Sequence, residues 1–303
     1  MAHDPFKLHA HAGLDESFVA REVRRFLDED VGSGDVTTGR VVSKAARARG
    51  SMVARDACVV AGLEIARVVF LAVDPSIEVS LHAADGDAVA SGTVLIRLDG
   101  PAAPILTGER VALNLVQRLS GIATITRRYV DALRGTGASV SDTRKTTPGL
   151  RVFEKYAVHA GGGRNHRMGL YDAILIKDNH RAIAGGPAAA IAAARHTSGA
   201  GMPVQIEVDT LDELAQVLDL GVEAVLLDNM TPAKVAEAVR MARAHPRGRA
   251  CWIEASGGIT LATIRAYAEA GVDTISVGAL THSAPAVDIA LDLDIFESRD
   301  RDE

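Results

Sequence analysis

Asp142-Thr143-Arg144-Lys145-Thr146-Thr147-Pro148-Gly149-Leu150-Arg151 opens the stretch from which the rest of this chain can be read. It continues through Glu154-Lys155-Tyr156-Ala157-Val158-His159-Ala160-Gly161-Gly162-Gly163-Arg164-Asn165-His166-Arg167 and closes on Leu175-Ile176-Lys177-Asp178-Asn179-His180. Lysines are sparse in the chain, yet Lys145, Lys155 and Lys177 all lie here, with Arg144, Arg151, Arg164 and Arg167 among them. The formal net charge is −6, so cations gathered in one place point to a bound anion. Arg forks and Lys point charges suit phosphate and carboxylate groups best. A solvated basic loop is the bland alternative. Pro148-Gly149 and the glycines at 161–163 weigh against it, because they let backbone approach a bound group closely. Lys145 and Lys177 each follow a short apolar run, Ala138 to Val140 and Ala173 to Ile176, which places each at the tip of a strand.

Downstream the same rhythm recurs. Apolar runs at Val204–Ile206, Ala224–Leu227, Cys251–Ile253 and Thr274–Val277 each end on a polar tip. Helices are expected over Leu211–Leu220, Pro232–His245, Leu261–Ala270 and Val287–Leu293, with Gly221 and Gly271 closing two of them. The Ala-rich run from Pro187 to Ala194 reads as the start of a buried helix. Strand–helix repeats of this kind build a parallel sheet, and this many in series favour a (β/α) barrel. In such a barrel all the tips share one face. They carry Arg144 and Lys145; Lys177; Glu207 and Asp209; Asp228; Glu254 and Ser256; and Gly278. The last tips, Ser256-Gly257-Gly258-Ile259 and Val277-Gly278-Ala279, fall where backbone amides of barrels commonly seat a phosphate, although each glycine alone could serve only a tight turn.

Upstream the pattern differs. Residues 1–16 are polar and expected to be loosely ordered. Ser17 is a candidate cap for a helix carrying Val19, Val23, Phe26 and Leu27 on one face. Extended runs at Ala48–Val60, Ile77–His82 and Val94–Leu98 surround a helix opened by Gly62, giving an α+β layer. From Pro104 a long buried helix is expected, carrying Glu109, Arg110, Asn114 and Arg118 and interrupted near Gly121.

Composition narrows the classes of function. The acidic balance argues against general nucleic-acid binding. Two distant cysteines, Cys58 and Cys251, offer neither a metal-binding spacing nor a disulfide framework, and suit a reducing cytoplasm. No signal peptide and no apolar stretch near the ~20 residues of a membrane span is visible.

With these residues placed, the chain resembles the quinolinate phosphoribosyltransferase family from about Phe26 to about Leu293. The most specific motifs are those at 142–149, 154–158 with 161–163, 166–167 and 175–180, together with Glu207-Val208-Asp209, Leu227-Asp228-Asn229 and Glu254-Ala255-Ser256-Gly257-Gly258-Ile259. The resemblance implies an α/β protein: an N-terminal α/β sandwich domain (1–116) and an incomplete (β/α) barrel of about seven strands (117–303), its last helix packing back on the first domain. It implies transfer of phosphoribosyl from phosphoribosyl pyrophosphate to quinolinate with decarboxylation, with Mg²⁺ accompanying the pyrophosphate. It also implies a homodimer, or a hexamer, whose sites face the partner's N-terminal domain. Lys145, Lys177, Glu207 and Asp228 would be catalytic, and Glu207 and Asp228 could also touch the metal. Thr143, Arg144, His166, Arg167 and Lys177 would bind substrate, with Arg110 alongside. Ser256, Gly257, Gly258, Gly278 and Ala279 would seat the 5′-phosphate. Three rivals remain open at this point: a relative with another acceptor, a Schiff-base aldolase using Lys145 or Lys177, and a ligand sensor without turnover.

Overall fold

Alternating burial along Ala46–Ala54 marks β1, which pairs antiparallel with β5 (Val94–Pro101) on one side. The computed structural model describes residues 14–197 and 202–297, so the expectation for the N-terminal segment falls outside the described residues up to residue 13. These residues group into two units, one of 14–125 with 284–297 and one of 126–283.

In the first unit, β3 (Glu78–Leu81) flanks β5, and β12 (Ile289–Glu297) flanks β1 over its whole length, giving the order β12-β1-β5-β3. A small second ladder joins β2 (Cys58–Val59) to β4 (Ala88–Val89). The C-terminal segment therefore corrects the helix expected over Val287–Leu293. Leu291, Leu293 and Ile295 alternate with Asp292 and Asp294, a period of two that suits a strand. The segment does return to the N-terminal layer, but as an edge strand. Helix α1 (Glu16–Val31) is capped by Asp15, whose carboxylate accepts the Phe18 N–H at 2.7 Å. Ser17, expected as the cap, donates its hydroxyl to Asp15 instead. Helix α2 (Thr38–Val41) is a single turn, and α3 (Leu63–Val73) starts after Gly62, whose φ of 98° is left-handed.

Helix α4 runs without a break from Ala102 to Ala132. Gly121 does not interrupt it. A Cβ at that position would lie 2.0 Å from the Pro285 carbonyl oxygen, so the glycine admits the returning chain against the helix. Ser120 and Thr124, one turn apart, reach the first unit's chain, accepting the N–H groups of Ala61 and Val59 at 3.0 and 2.9 Å.

The second unit alternates strands and helices: β6 (Ser139–Ser141), α5 (Arg151–Ala160), β7 (Ile174–Ile176), α6 (Asp178–Ala184), α7 (Pro187–Thr197), β8 (Val204–Val208), α8 (Leu211–Asp219), β9 (Ala224–Asp228), α9 (Pro232–Ala244), β10 (Trp252–Ser256), α10 (Ile264–Glu269), β11 (Thr274–Ser276) and α11 (Ala279–His282). Every pairing is parallel, in the order β6-β11-β10-β9-β8-β7. The first strand of the series thus pairs with the last, as in a closing barrel, while β6 and β7 do not pair. A single parallel bridge from Ser141 to Arg164 stands at that opening. The sheet is an incomplete barrel of six strands plus this bridge. One face of this sheet is apolar, with Val140, Ile206, Val225, Ile253 and Ile275 each at most 2 % exposed. Helix α7 corrects the buried reading of the Ala-rich run: Ala190 and Ile191 are buried, but most of its other side chains face outward.

Candidate active site

The strand tips converge, but they sort most cations of the opening stretch into three groups. Lys155 is withdrawn from any ligand. It and Asp142 are both fully buried and form an ion pair between α5 and the tip of β6. The Lys155 ammonium also donates to the His166 carbonyl at 3.0 Å. Asp142 accepts the Asn165 amide at 2.7 Å and the His166 backbone N–H at 2.8 Å. Burial pushes the Asp142 carboxyl up and the Lys155 ammonium down, and the attraction between the two opposes both shifts. Arg151 is likewise engaged locally, donating to the Thr146 hydroxyl and to the carbonyls of Arg144 and Met168.

Arg144 and Arg167 form the second group. Arg167 is buried at 7 % exposure, and one guanidinium nitrogen donates to the Ala173 carbonyl at 3.2 Å. Burial depresses its pKa first, and the charge of Arg144 depresses it further. The Arg144 Nε is buried and finds no hydrogen-bond partner among the described residues. Two guanidinium groups close enough to repel, one with an unmet buried donor, have the charge and the donors that an anion would satisfy.

Beside them stands a mixed cluster. Lys177, at the start of α6, pairs with Glu207 of β8. Asp228 ends β9, and its carboxyl is pushed up by burial first and then by Glu207, while Lys177 and Lys145 pull it down. Lys145, Lys177, Glu207 and Asp228 are thereby brought to one place. Thr143 caps this turn, its hydroxyl accepting the Lys145 N–H at 3.0 Å. The stem of Lys145 passes over Gly278, where an added Cβ would lie 3.0 Å from its Cδ. Thr281 on α11, just beyond Ala279, donates to the Lys145 carbonyl at 2.8 Å.

Gly257 is required by its surroundings. Its φ is +97°, and a Cβ there would fall 2.2 Å from Asn229 Oδ1. Asn229, itself at a φ of 54°, donates its N–H to the Ser256 carbonyl at 3.0 Å, so the β9 and β10 tips turn back to back. Gly258 (φ +60°) has open space above it. The Ser256-Gly257-Gly258 turn therefore offers backbone to whatever occupies the mouth.

Behind the mouth lies a polar layer that the sequence barely signals. The His166 Nε2 is 3.3 Å from Glu254, which is 1 % exposed and also accepts from Gln205 at 2.8 Å, with buried Ser276 beside it. In the neutral ring Nδ1 accepts the Arg167 N–H at 2.7 Å, leaving the proton on Nε2 toward Glu254. Burial opposes charge at both groups, but their mutual attraction outweighs it, so His166 moves up and Glu254 down. Gln205 and Ser276 escape sequence reasoning because each sits inside an apolar strand; a polar residue within Val204–Val208 was the available signal. Asn165 and Asp142 were visible in the motif without a role. His180 is engaged at the start of α6, its Nδ1 accepting the Lys177 N–H at 2.9 Å. Arg110 is not among the residues gathered here: it belongs to the first unit, exposed on α4.

Known proteins resemble this chain over nearly its whole length. The family model "Quinolinate phosphoribosyl transferase, N-terminal domain" matches residues 35–120, and the corresponding C-terminal-domain model matches residues 122–292. The nicotinate-nucleotide pyrophosphorylase [carboxylating] of Mycobacterium leprae is 44% identical over 275 residues, covering 89% of this chain and 95% of that protein. A probable enzyme of the same name from Bacillus subtilis is 42% identical over 271 residues, covering 89% of this chain and 92% of its own length. Among solved structures, NadC from Streptococcus pyogenes superposes with a TM-score of 0.87 at 38% identity, covering 94% of this chain and 100% of that one. A NadC deletion mutant gives a TM-score of 0.89 at 37% identity, with 95% and 100% covered. Two matching domain models in sequence, and relatives above 40% identity along almost their full length, establish that this chain belongs to the quinolinate phosphoribosyltransferase family.

Proposed function

We propose that this chain transfers phosphoribosyl from phosphoribosyl pyrophosphate to quinolinate with loss of carbon dioxide, forming nicotinate mononucleotide for NAD synthesis. The observation that carries the reading is the pair Arg144 and Arg167: like-charged neighbours, Arg167 buried and Arg144 with a buried donor unmet. Quinolinate bears two neighbouring carboxylates, and two guanidinium groups supply two forks for them. His166 lies against the pair, its ring accepting the Arg167 N–H.

The chemistry follows from the neighbouring groups. Rupture of the bond at ribose C1 develops oxocarbenium-like positive charge. Glu207 and Asp228 are suited to hold the ribose hydroxyls and offset that charge. Lys145 is suited to the departing pyrophosphate, and the turns at Ser256-Gly257-Gly258 and Gly278-Ala279 to the 5′-phosphate. Once the ring nitrogen is alkylated it is cationic, so the electron pair left when the adjacent carboxylate departs as carbon dioxide is stabilised beside it. Lys145 or Lys177 would return a proton to that carbon.

Glu207 and Asp228 also bear on Mg²⁺. Among the described residues no group of three or more His, Cys, Asp or Glu side chains is arranged for a metal. A site made by protein alone does not fit, but one or two carboxylates completed by substrate phosphates do. The repulsion between Glu207 and Asp228 is what such a cation would relieve. Mg²⁺ held there would supply charge neutralisation to the pyrophosphate.

We further propose a homodimer, alone or assembled into a hexamer, in which Arg110 serves the neighbouring subunit's site. Arg110 is exposed on α4 and has no ion-pair partner among the described residues, which leaves it available to a second chain. Two buried free cysteines, Cys58 and Cys251, suit a reducing cytoplasm. No helix among the described residues is long and apolar enough to cross a membrane. The test is direct: purified protein with quinolinate, phosphoribosyl pyrophosphate and Mg²⁺ is expected to release carbon dioxide and form nicotinate mononucleotide. Nicotinate, which lacks one carboxylate, is expected to be a poor acceptor. Equal turnover of the two acceptors would overturn the assignment.

A further inference from the structure

Both segments that carry the acceptor-facing arginines hang from one buried carboxylate. Asp142 immediately precedes Thr143-Arg144-Lys145. Its Oδ1 accepts the Lys155 ammonium and the backbone N–H of His166, and its Oδ2 accepts the Asn165 side chain at 2.7 Å. Lys155 completes the grip by donating to the His166 carbonyl at 3.0 Å. Asn165 adds a second bond to the Lys155 carbonyl at 2.8 Å. The peptide groups on both sides of His166 are therefore held, one by each member of the ion pair. Arg167 follows directly, and its N–H is taken by the His166 ring. Asp142 and Lys155 are both at 0 % exposure, so water cannot substitute for either.

We infer that Asp142, with Lys155, is a positioning element that sets the separation of the Arg144 and Arg167 forks and thereby selects an acceptor with two adjacent carboxylates. This rests on the proposed quinolinate reading. The two arginines repel each other, so nothing in their own interaction holds them at a useful spacing. Arg144 is tied through the chain at Asp142, and Arg167 through the gripped peptide of His166. Both ties end on the same carboxylate, which makes the spacing between the forks a property of that carboxylate. A buried ion pair used only for stability is replaceable by neutral groups of similar size. A pair used for geometry is not.

The test separates these two uses. Asp142→Asn presents an amide donor toward the Asn165 amide and leaves the Lys155 ammonium unpaired. The double variant Asp142→Asn/Lys155→Met removes that charge as well. Its introduced amide oxygen can still accept the His166 N–H, while the bond from Lys155 to the His166 carbonyl is lost. Thermal unfolding is expected to show Asp142→Asn destabilised and the double variant recovered to within a few degrees of the unaltered enzyme. The KM for quinolinate is expected to stay raised at least tenfold in both, with the KM for phosphoribosyl pyrophosphate changed less than threefold. The preference for quinolinate over nicotinate is expected to fall by a similar factor. Recovery of the quinolinate KM together with Tm in the double variant would overturn the inference, as would equal shifts of both substrates' KM. If the double variant does not fold, Lys155→Met alone with Kd values for quinolinate and benzene-1,2-dicarboxylate decides, a tenfold weakening of both being expected and no change overturning it. An unaltered enzyme that binds these dicarboxylates without turning quinolinate over would sink the proposed reaction but leave the same Kd comparison to judge Asp142. An unaltered enzyme that binds neither dicarboxylate would overturn both.

Discussion

Arg167 and Lys145 differ in what their charges meet. Arg167 is buried beside Arg144, whereas Lys145 is exposed and lies over Gly278. Arg167→Ala is expected to act on the acceptor, because truncating one partner of a desolvated charge pair costs about 2–5 kcal/mol. Quinolinate affinity measured by calorimetry should fall by about 30-fold or more, at roughly 1.4 kcal/mol per factor of ten. Lys145→Ala is expected to lower kcat by on the order of 10²–10³, the scale of removing one donor that stabilises developing charge. The reverse pattern would exchange their roles. Asp228 gives a prediction of a different kind. Burial first and Glu207 second raise its folded pKa above the ordinary carboxylate value. A raised carboxyl pKa means the folded state carries an unfavourable charge at neutral pH, which protonation relieves as pH falls through the folded value. Asp228→Asn is therefore expected to be slightly more stable than the unaltered enzyme at pH 7, by less than about 1 kcal/mol for a partly exposed group. That advantage should shrink in denaturant titrations as pH falls through the raised folded pKa, while activity is lost throughout. A variant less stable at pH 7 than the parent would contradict the sign.

At the scale of elements, Gly121 sets two opposing effects against each other. Alanine in a helix interior gains about 1 kcal/mol over glycine in propensity. Here the added Cβ would lie 2.0 Å from the Pro285 carbonyl oxygen and 3.0 Å from its carbon. Backbone cannot swing aside as a side chain can, and overpacking typically costs about 1–3 kcal/mol. Gly121→Ala is expected to lower the midpoint of urea unfolding, with a net loss of about 1 kcal/mol or more, at the upper end of that overpacking range. A rise would show that the returning segment shifts freely. That segment leads into β12, which covers the edge of β1 across nine residue pairs. Its loss would leave a long strand edge unpaired, a known route to aggregation.

For the whole molecule the question is whether the site is shared between subunits. Arg110→Ala and Lys177→Ala are each expected to be nearly inactive as pure oligomers. In a two-fold dimer with Arg110 acting across the interface, a mixed pair gathers both defects in one site and leaves the other whole. Random exchange makes about half the dimers mixed, so roughly a quarter of all sites should recover. Mass spectrometry confirms exchange, and absence of recovery after confirmed exchange would refute the shared site.

Much of the frame was legible in the sequence because its signals are local. Short apolar runs ending on Lys177, Asp228 and Ser256 announce parallel strands and their tips, and glycines such as Gly257 mark turns whose positive φ other residues adopt at a cost. Even β12 was available in the alternation of Leu291, Leu293 and Ile295 with aspartates, though the helix expected over Val287–Leu293 stopped partway through that alternation. Tertiary structure alone decided which charges remain free. Lys145 and Lys155 are the same residue type ten positions apart, yet one is exposed at the mouth and the other lies at 0 % exposure against Asp142. The Glu254 carboxylate on β10 is held by Gln205 from β8 and His166 from the loop after α5, partners 49 and 88 positions away. A buried charge is stabilised by whatever the fold brings within a few ångströms of it, and that neighbourhood is written in no single stretch of chain.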